Sequence, residues 1–286
     1  MPLGEPTTGG TGFVNRIDPP IAIKGYNPAK TYDHQPDTVD PVFLEAMSVR
    51  EDVFVQGQGV PQAEEVDADD PISYHWVCYA SVSRKKSATD SAAVTDAPES
   101  SAADEVPRNA LGGKIIMRRR SSAYQPEHLG KRPPSPHTTV PVGTVRFVPP
   151  IRNRPREVPG TPTSFPTKEP FVKVTRLAVH RQFRGLGLTR LLLSDAFEFI
   201  VNNPEKIVPP LGPAEREAYN AQGKSEELWK GLLLVHAQKP VKGLWERYGF
   251  KQDEGMGEWM EDGCLHIGMW RWLEPKFTWI IGPRYN

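Results

Sequence analysis

Cysteine is nearly missing from this chain: Cys78 and Cys264 are the two it has. Two cysteines cannot supply a disulfide framework, and their scarcity fits a reducing compartment, so a cytoplasmic protein is expected, with the nucleus open. Net charge is missing as well, because 35 lysines and arginines balance 35 aspartates and glutamates. That balance gives no global attraction to nucleic acid or to an anionic membrane, and neither is expected as a partner. No apolar run approaches the roughly 20 residues of a membrane span. The opening MPLGEPTTGGTG lacks the basic and apolar regions of a secretory signal. Aromatic residues, leucine and isoleucine all vanish between Ser87 and Pro107, where alanine, serine, threonine and acids dominate. Such a segment cannot bury enough apolar area to offset its ordering entropy, which predicts disorder there.

What remains of the 286 residues, 38% of them hydrophobic, suffices for one good core and extra segments. Residues 1–40 read as an extended arm in which Ile21-Ala-Ile23 could form a short strand. Pro41 opens a helical pattern, PVFLEAMSVREDVFV, with Asp40 as its N-cap and Pro41 at the first helical position. The pattern runs into an extended turn and then an acidic stretch, Glu64, Glu65, Asp67, Asp69 and Asp70, which taken alone reads as a solvated loop. Tyr74 to Val82 is rich in aromatic and β-branched residues and reads as a strand. Its partner is Val142 to Val148, a short strand in a region whose prolines forbid other regular structure. Together they make a hairpin expanded by an insertion over 83–141, which includes the basic KIIMRRR, and followed by a Pro-rich loop over 149–170.

The central stretch is Phe171 to Val201. Val172, Val174, Leu177 and Val179 mark a strand; Leu188, Leu191, Leu192, Ala196, Phe197 and Ile200 recur at helical spacing. Between them Gln182-Phe-Arg-Gly185-Leu-Gly187 is a glycine turn at a helix N-terminus. Its unpaired amides and the positive end of the helix dipole suit a phosphate or pyrophosphate. A dinucleotide fingerprint would need a third glycine where Arg190 stands, and a P-loop pattern is absent. A polar insertion over 202–230 with a short helix (PAEREAYNAQG) follows. Leu232 to Gln238 then reads as a buried parallel-type strand. A helix from Pro240 would carry Val241, Leu244, Trp245 and Tyr248 on one face and stop at Gly249. A strand pair, Phe250 to Met260 and Leu265 to Trp272, closes the pattern.

The loop fits Q/R-x-x-G-x-G/A. With AVHRQFRGLGLTRLLL, HAQ…LWERYGF, EDGCLHIGMW and the VFV…Q-x-VP…E-x-D…D…H segment, the chain resembles the GNAT superfamily of N-acetyltransferases, in particular the bacterial ElaA/YjcF type. The resemblance covers about residues 40–82, 142–148 and 171–273. It implies an α/β (α+β) fold: a mixed central sheet flanked by helices in a single domain over 41–273 with disordered insertions, then a tail over 274–286. It implies transfer of an acetyl group from acetyl-CoA, as co-substrate and without a metal, to a primary amine by direct attack. The pyrophosphate would lie on Gln182, Phe183, Arg184, Gly185, Leu186, Gly187, Leu188 and Thr189. The pantetheine arm would add to the strand edge at Leu177, Ala178 and Val179, with the Val179 N–H near the thioester oxygen. Gln238, His236 and Trp245 would line that channel.

Two positions depart from the pattern. Trp245 stands where the family commonly has a tyrosine acid, and Gly57 stands where it commonly has a glutamate. Tyr248, three residues on, is the candidate acid; it also reads as a packing aromatic, and the thiolate could leave unaided. For the base the candidates are Glu64, Glu65, His75 and His266, with His266 first and a core histidine as its other reading. Cys264 and His266 share a strand face but have no second ligand pair, so no zinc site is expected. The acceptor could be a small amine, an amino sugar or a protein lysine. Alternatively, Trp245 and Gly57 mark a non-enzymatic acetyl-CoA-binding module.

Overall fold

The computed structural model describes residues 13–83, 137–150, 169–209, 211–223 and 228–276. The expectations for Ser87 to Pro107, for KIIMRRR and for nearly all of the Pro-rich loop lie outside these residues. Eight strands form one sheet: β1 (Val14–Ile17), β2 (Tyr74–Ser83), β3 (His137–Val148), β4 (Phe171–Val179), β5 (Leu232–Gln238), β6 (Lys251–Gln252), β7 (Glu258–Glu261) and β8 (Cys264–Trp272). Their order is β1-β2-β3-β4-β5-β8-β6, with β7 also on β8. Every pair is antiparallel except β4–β5. A parallel neighbour needs a crossover, and α3 (Leu188–Asn202) begins it. This mixed α/β sheet between helices is consistent with the fold the resemblance implies. Among the described residues no helix is long and apolar enough to cross a membrane.

The expected hairpin forms but is longer than expected: it runs from Tyr74↔Phe147 to Ser83↔His137, so β3 begins five residues before Val142 and passes through Pro141, with a register shift at Cys78/Tyr79. Strand alternation then sorts side chains to two faces. Trp76, Cys78, Val145, Phe147, Val172, Val174, Leu233, Val235, Ile267 and Met269 meet the apolar side of α3 in the main core. Val77 and Tyr79 turn to the other face, where they meet Ala46 of α1 (Pro41–Arg50). The Asp40 carboxylate caps α1 as expected, accepting from the amides of Val42 (2.8 Å) and Phe43 (3.1 Å).

Other local expectations also differ from what forms; the strand expected over Phe250 to Met260 is two short strands, β6 and β7, separated by a 3-10 turn at Glu254–Met256. The first strand is Val14–Ile17, paired to β2, while Ile21 is irregular and buried against Val39 and Phe43. Its three-residue apolar run is consumed by packing rather than by a ladder. Beyond α1 the chain does not extend: Glu51–Gln56 continues as a π-helix, which keeps Val53 directed at the core. The polar insertion also does more than bridge. Besides α4 (Pro204–Ile207) and the expected helix α5 (Pro213–Ala221), it plugs the core with Ile207, Val208 and Trp229.

Gly143 sits where β3 passes β4. A Cβ there would lie 2.8 Å from Cys78 Sγ, 3.2 Å from the Ala178 carbonyl and 3.2 Å from Leu192 Cδ1. Gly143→Ala is therefore expected to cost about 1–3 kcal/mol by overpacking. A urea titration with an unchanged midpoint would refute the close packing.

Candidate functional site

The β4–β5 ladder is short. Its four pairs run from Phe171↔Leu232 to Val174↔Val235 and stop, although both strands continue. The reason lies on the other side of β4. Thr144 pairs with Ala178 and Arg146 with Thr175, so Arg176 and Leu177 together oppose Val145. This extra residue is a β-bulge, and Arg176 adopts φ +51°, an unusual backbone for a non-glycine residue. The bulge bends β4 away and leaves the edge of Leu177–Val179 without a β5 partner. The His180 amide donates to the Val142 carbonyl (2.9 Å), so alternation turns the Val179 peptide toward the opened side.

A cluster of charges behind the bulge holds it in place. Arg50 is wholly buried and donates through Nε to Glu65 Oε1 (2.6 Å) and through Nη1 to Asp70 Oδ1 (2.7 Å). Arg146 grips Asp67 with two parallel hydrogen bonds (2.7 and 2.8 Å) and lies 2.9 Å from Asp70. Arg176 Nε lies 3.1 Å from Glu65 Oε1 and its Nη2 lies 3.5 Å from Asp67 Oδ2. Burial by itself would raise the Asp70 carboxyl, yet Arg50 and Arg146 hold it well below the usual range. The acidic run is thus folded inward, with Glu65 at the end of α2 (Gln62–Glu65) and only Glu64 of the proposed bases on the surface. His75 lies deep in this region, its Nε2 3.1 Å from the Asp70 carbonyl. Burial is the main cause that pushes it down to about 3, so it stays neutral.

At the far end of β4 the glycine loop forms as expected. A single 3-10 turn, Arg181–Phe183, buries Phe183; Gly185 (φ +79°) and Gly187 (φ +77°) then bring the chain into α3. No side chain caps the first amides of α3. The loop borders a cavity of about 530 Å³ lined by Val179, Phe183, Arg184, Gly185, Gly187, Leu188 and Thr189. Leu244, Arg247 and Tyr248, from the end of α6 (Lys242–Arg247) and the residue after it, close its opposite wall, with Arg190 also on it. Three guanidinium groups thus surround a glycine turn at a helix N-terminus, an arrangement suited to a multiply charged anion. Arg184 is anchored by its Nε to the Val179 carbonyl (3.0 Å). The sequence singled out Arg184; Arg190 counted only against a dinucleotide fingerprint and Arg247 carried no signal.

Trp245 and Tyr248 take different places. Trp245 is buried in the core, edge-on to Phe250 at 5.2 Å. Tyr248 faces the cavity, and burial raises its phenol pKa against the opposing pull of Arg190 and Arg247. Of the other expected residues, Ala178 is buried against Val49 and Val53, Leu177 and Leu186 pack at the core's edge, and Gln182 is exposed. Gln238 ends β5 and donates to Gln58 Oε1 (3.0 Å) across the opening. His266, on β8 opposite Gln238, has Nδ1 3.0 Å from the Cys264 carbonyl and its ring stacked on Trp259.

No family model and no curated relative matches the chain. Solved structures do match. An acyl-CoA N-acyltransferase from Pseudomonas aeruginosa aligns over 85% of this chain and 96% of its own, at 16% identity and a TM-score of 0.40. Escherichia coli ElaA aligns over 84% and 95%, at 14% identity and a TM-score of 0.37. These likenesses are of outline; the chemistry rests on the loop, the bulge and the cavity of this chain.

Asp70→Asn removes one carboxylate from a buried cluster and leaves Arg50 and Arg146 underpaired. The variant is expected to lose about 3–5 kcal/mol at neutral pH. Because the folded carboxyl sits below its unfolded value of about 3.9, its stabilisation is present above that pH and is lost as pH falls further. The parent's urea midpoint should therefore drop more steeply below about pH 4 than the variant's, and parallel profiles would contradict the pairing.

Proposed function

We propose that this chain is an acyltransferase that moves an acetyl group from acetyl-CoA to a primary amine by direct attack. The observation that carries the reading is the arginine-lined cavity at the start of α3, contiguous through Val179 with a strand edge that β5 leaves open. A pyrophosphate would meet the loop amides from Phe183 to Thr189 and the guanidinium groups of Arg184, Arg190 and Arg247. An amide-bearing arm would then add as a strand along Leu177–Val179, the mode by which extended ligands join sheet edges. The cavity and the open edge meet at Val179.

The amine must attack in its neutral form, since an alkyl ammonium has no lone pair and an aqueous pKa near 10. The Val179 N–H would stabilise charge on the thioester oxygen. Tyr248 suits the acid role toward the leaving thiolate, because its phenol remains protonated at neutral pH and faces the cavity. Trp245 would then act through packing at the cavity's base. Glu65, held between Arg50 and Arg176, would act by fixing the bulge, and His266 would support Trp259 and the β8 side of the opening. The acceptor class, whether small amine, amino sugar or protein lysine, is to be read from a scan of amines with thiol release.

Gly185→Asp places a carboxylate beside the proposed pyrophosphate and a side chain at φ +79°. It is expected to abolish acetyl-CoA binding by calorimetry while the far-ultraviolet circular dichroism stays parental. Undiminished affinity in the folded variant would remove the reading. Tyr248→Phe keeps the ring and should lower turnover by about 10-fold or more, within the general-acid range of roughly 10²–10⁴-fold or somewhat below it. Parental turnover would mean that the thiolate leaves unaided. A parent that binds acetyl-CoA yet releases no thiol with any amine would instead be a binding module.

A further inference from the structure

One buried group at the opening has no structural employment. His236 is the first residue of β5 beyond its last pair with β4, so it lies at the point where the two strands part. Its side chain is only 5% exposed, yet neither ring nitrogen has a hydrogen-bond partner. Buried imidazoles are ordinarily satisfied, and an orphaned one calls for an explanation. Packing around it is deliberate. The Trp259 ring meets it edge-on at 4.9 Å, and Trp259 Nε1 donates to Glu261 Oε2 (2.9 Å), which holds that carboxylate 3.8 Å from His236 Nδ1. Glu261 is about two-fifths exposed and so connects the imidazole with water.

We propose that His236 is the catalytic group that takes the proton from the acceptor amine, with Glu261 as its outlet to solvent. The proposal rests on the acetyl-transfer reading above and adds the base that reading lacks. As the amine nitrogen forms its C–N bond to the acetyl carbon, the C–S bond breaks and its electron pair stays on sulfur. The amine proton passes to His236 Nε2, the Nδ1 proton passes to Glu261 and on to water, and exchange with solvent as the products leave returns the ring to its Nδ1–H tautomer. Tyr248 supplies the thiolate's proton and recovers one from solvent, so protons balance.

The charged and titratable groups facing His236 are Lys173 from β4, His266 from β8 and Glu261 from β7. Lys173 pairs with Leu234, which makes it a diagonal neighbour of His236 on the same sheet face. Burial above all, then Lys173 and His266, push the imidazole down to about 2, so it is neutral before the substrate arrives; the proton becomes acidic enough to transfer only as the amine nitrogen gains positive charge in bonding to the acetyl carbon, with the Glu261 carboxylate beside the ring to favour the imidazolium. His266 is less suited: its Nδ1 is already engaged with the Cys264 carbonyl and its ring lies under Trp259. Glu65 is engaged by two arginines.

The test uses the full chain with acetyl-CoA and three amines, propylamine, glucosamine and lysine amide, the fastest being carried into the variants. His236→Ala is expected to lower kcat about 100-fold, in the usual range for a lost general base, with partial recovery on adding imidazole. Glu261→Gln, at a partly exposed position that should not disturb folding, is expected to lower kcat about 10-fold. Acetyl-CoA affinity by calorimetry should remain parental in Glu261→Gln. Parental kcat in His236→Ala, or a loss that imidazole does not restore and Glu261→Gln does not share, overturns the assignment and leaves the acetyl-transfer reading standing. A parent that binds acetyl-CoA but acetylates none of the amines overturns both.

Discussion

Three arginines and three carboxylates, Arg50, Arg146 and Arg176 with Glu65, Asp67 and Asp70, must stay paired behind the central strands, and much of the molecule's shape follows. Charges this far from water are tolerated only when geometry satisfies them, because desolvation otherwise exceeds the attraction. Arg176, drawn toward Glu65 and Asp67 by charge, has its backbone at φ +51°, and that backbone is the bulge. The bulge parts β4 from β5, and the parting creates the open edge. A cluster that is poor evidence for net stability is here good evidence for specificity of form: it fixes one strand path among several that hydrophobic burial would accept.

The opening and the arginine-lined cavity share one strand. β4 carries both, with the bulge at Arg176 and the glycine loop only a few residues later. The main core under α3 makes the strand rigid between them, through Val172, Val174 and Val179 on one face and Leu192, Ala196 and Ile200 opposite. Rigid support matters because transfer chemistry gains from reacting groups held in place rather than from flexible contacts. The unpartnered His236 fits this logic. Its ring nitrogens lack hydrogen-bond partners at the point where β4 and β5 part.

Trp245 and Tyr248 divide two tasks between them. The indole is absorbed into the core, and one helical turn brings the Tyr248 hydroxyl to the cavity wall instead.

Sequence by itself determined the strand–glycine loop–helix unit, the β2–β3 hairpin and the cap at Asp40, since each depends on residues a few positions apart or on local periodicity. It also made Gly185 and Gly187 the hinge points, because a positive φ is read from residue type. Tertiary structure decided the rest. The acidic run is indistinguishable in sequence from a solvated loop, and becomes a buried cluster only because Arg146 arrives from 79 residues away to pair with Asp67. Likewise Arg190 and Arg247 join one cavity, and His236 is left without a hydrogen-bond partner, through contacts between elements distant along the chain. Backbone preference is local, whereas the energy of a charge or an imidazole depends on what surrounds it, and only the folded chain supplies those surroundings.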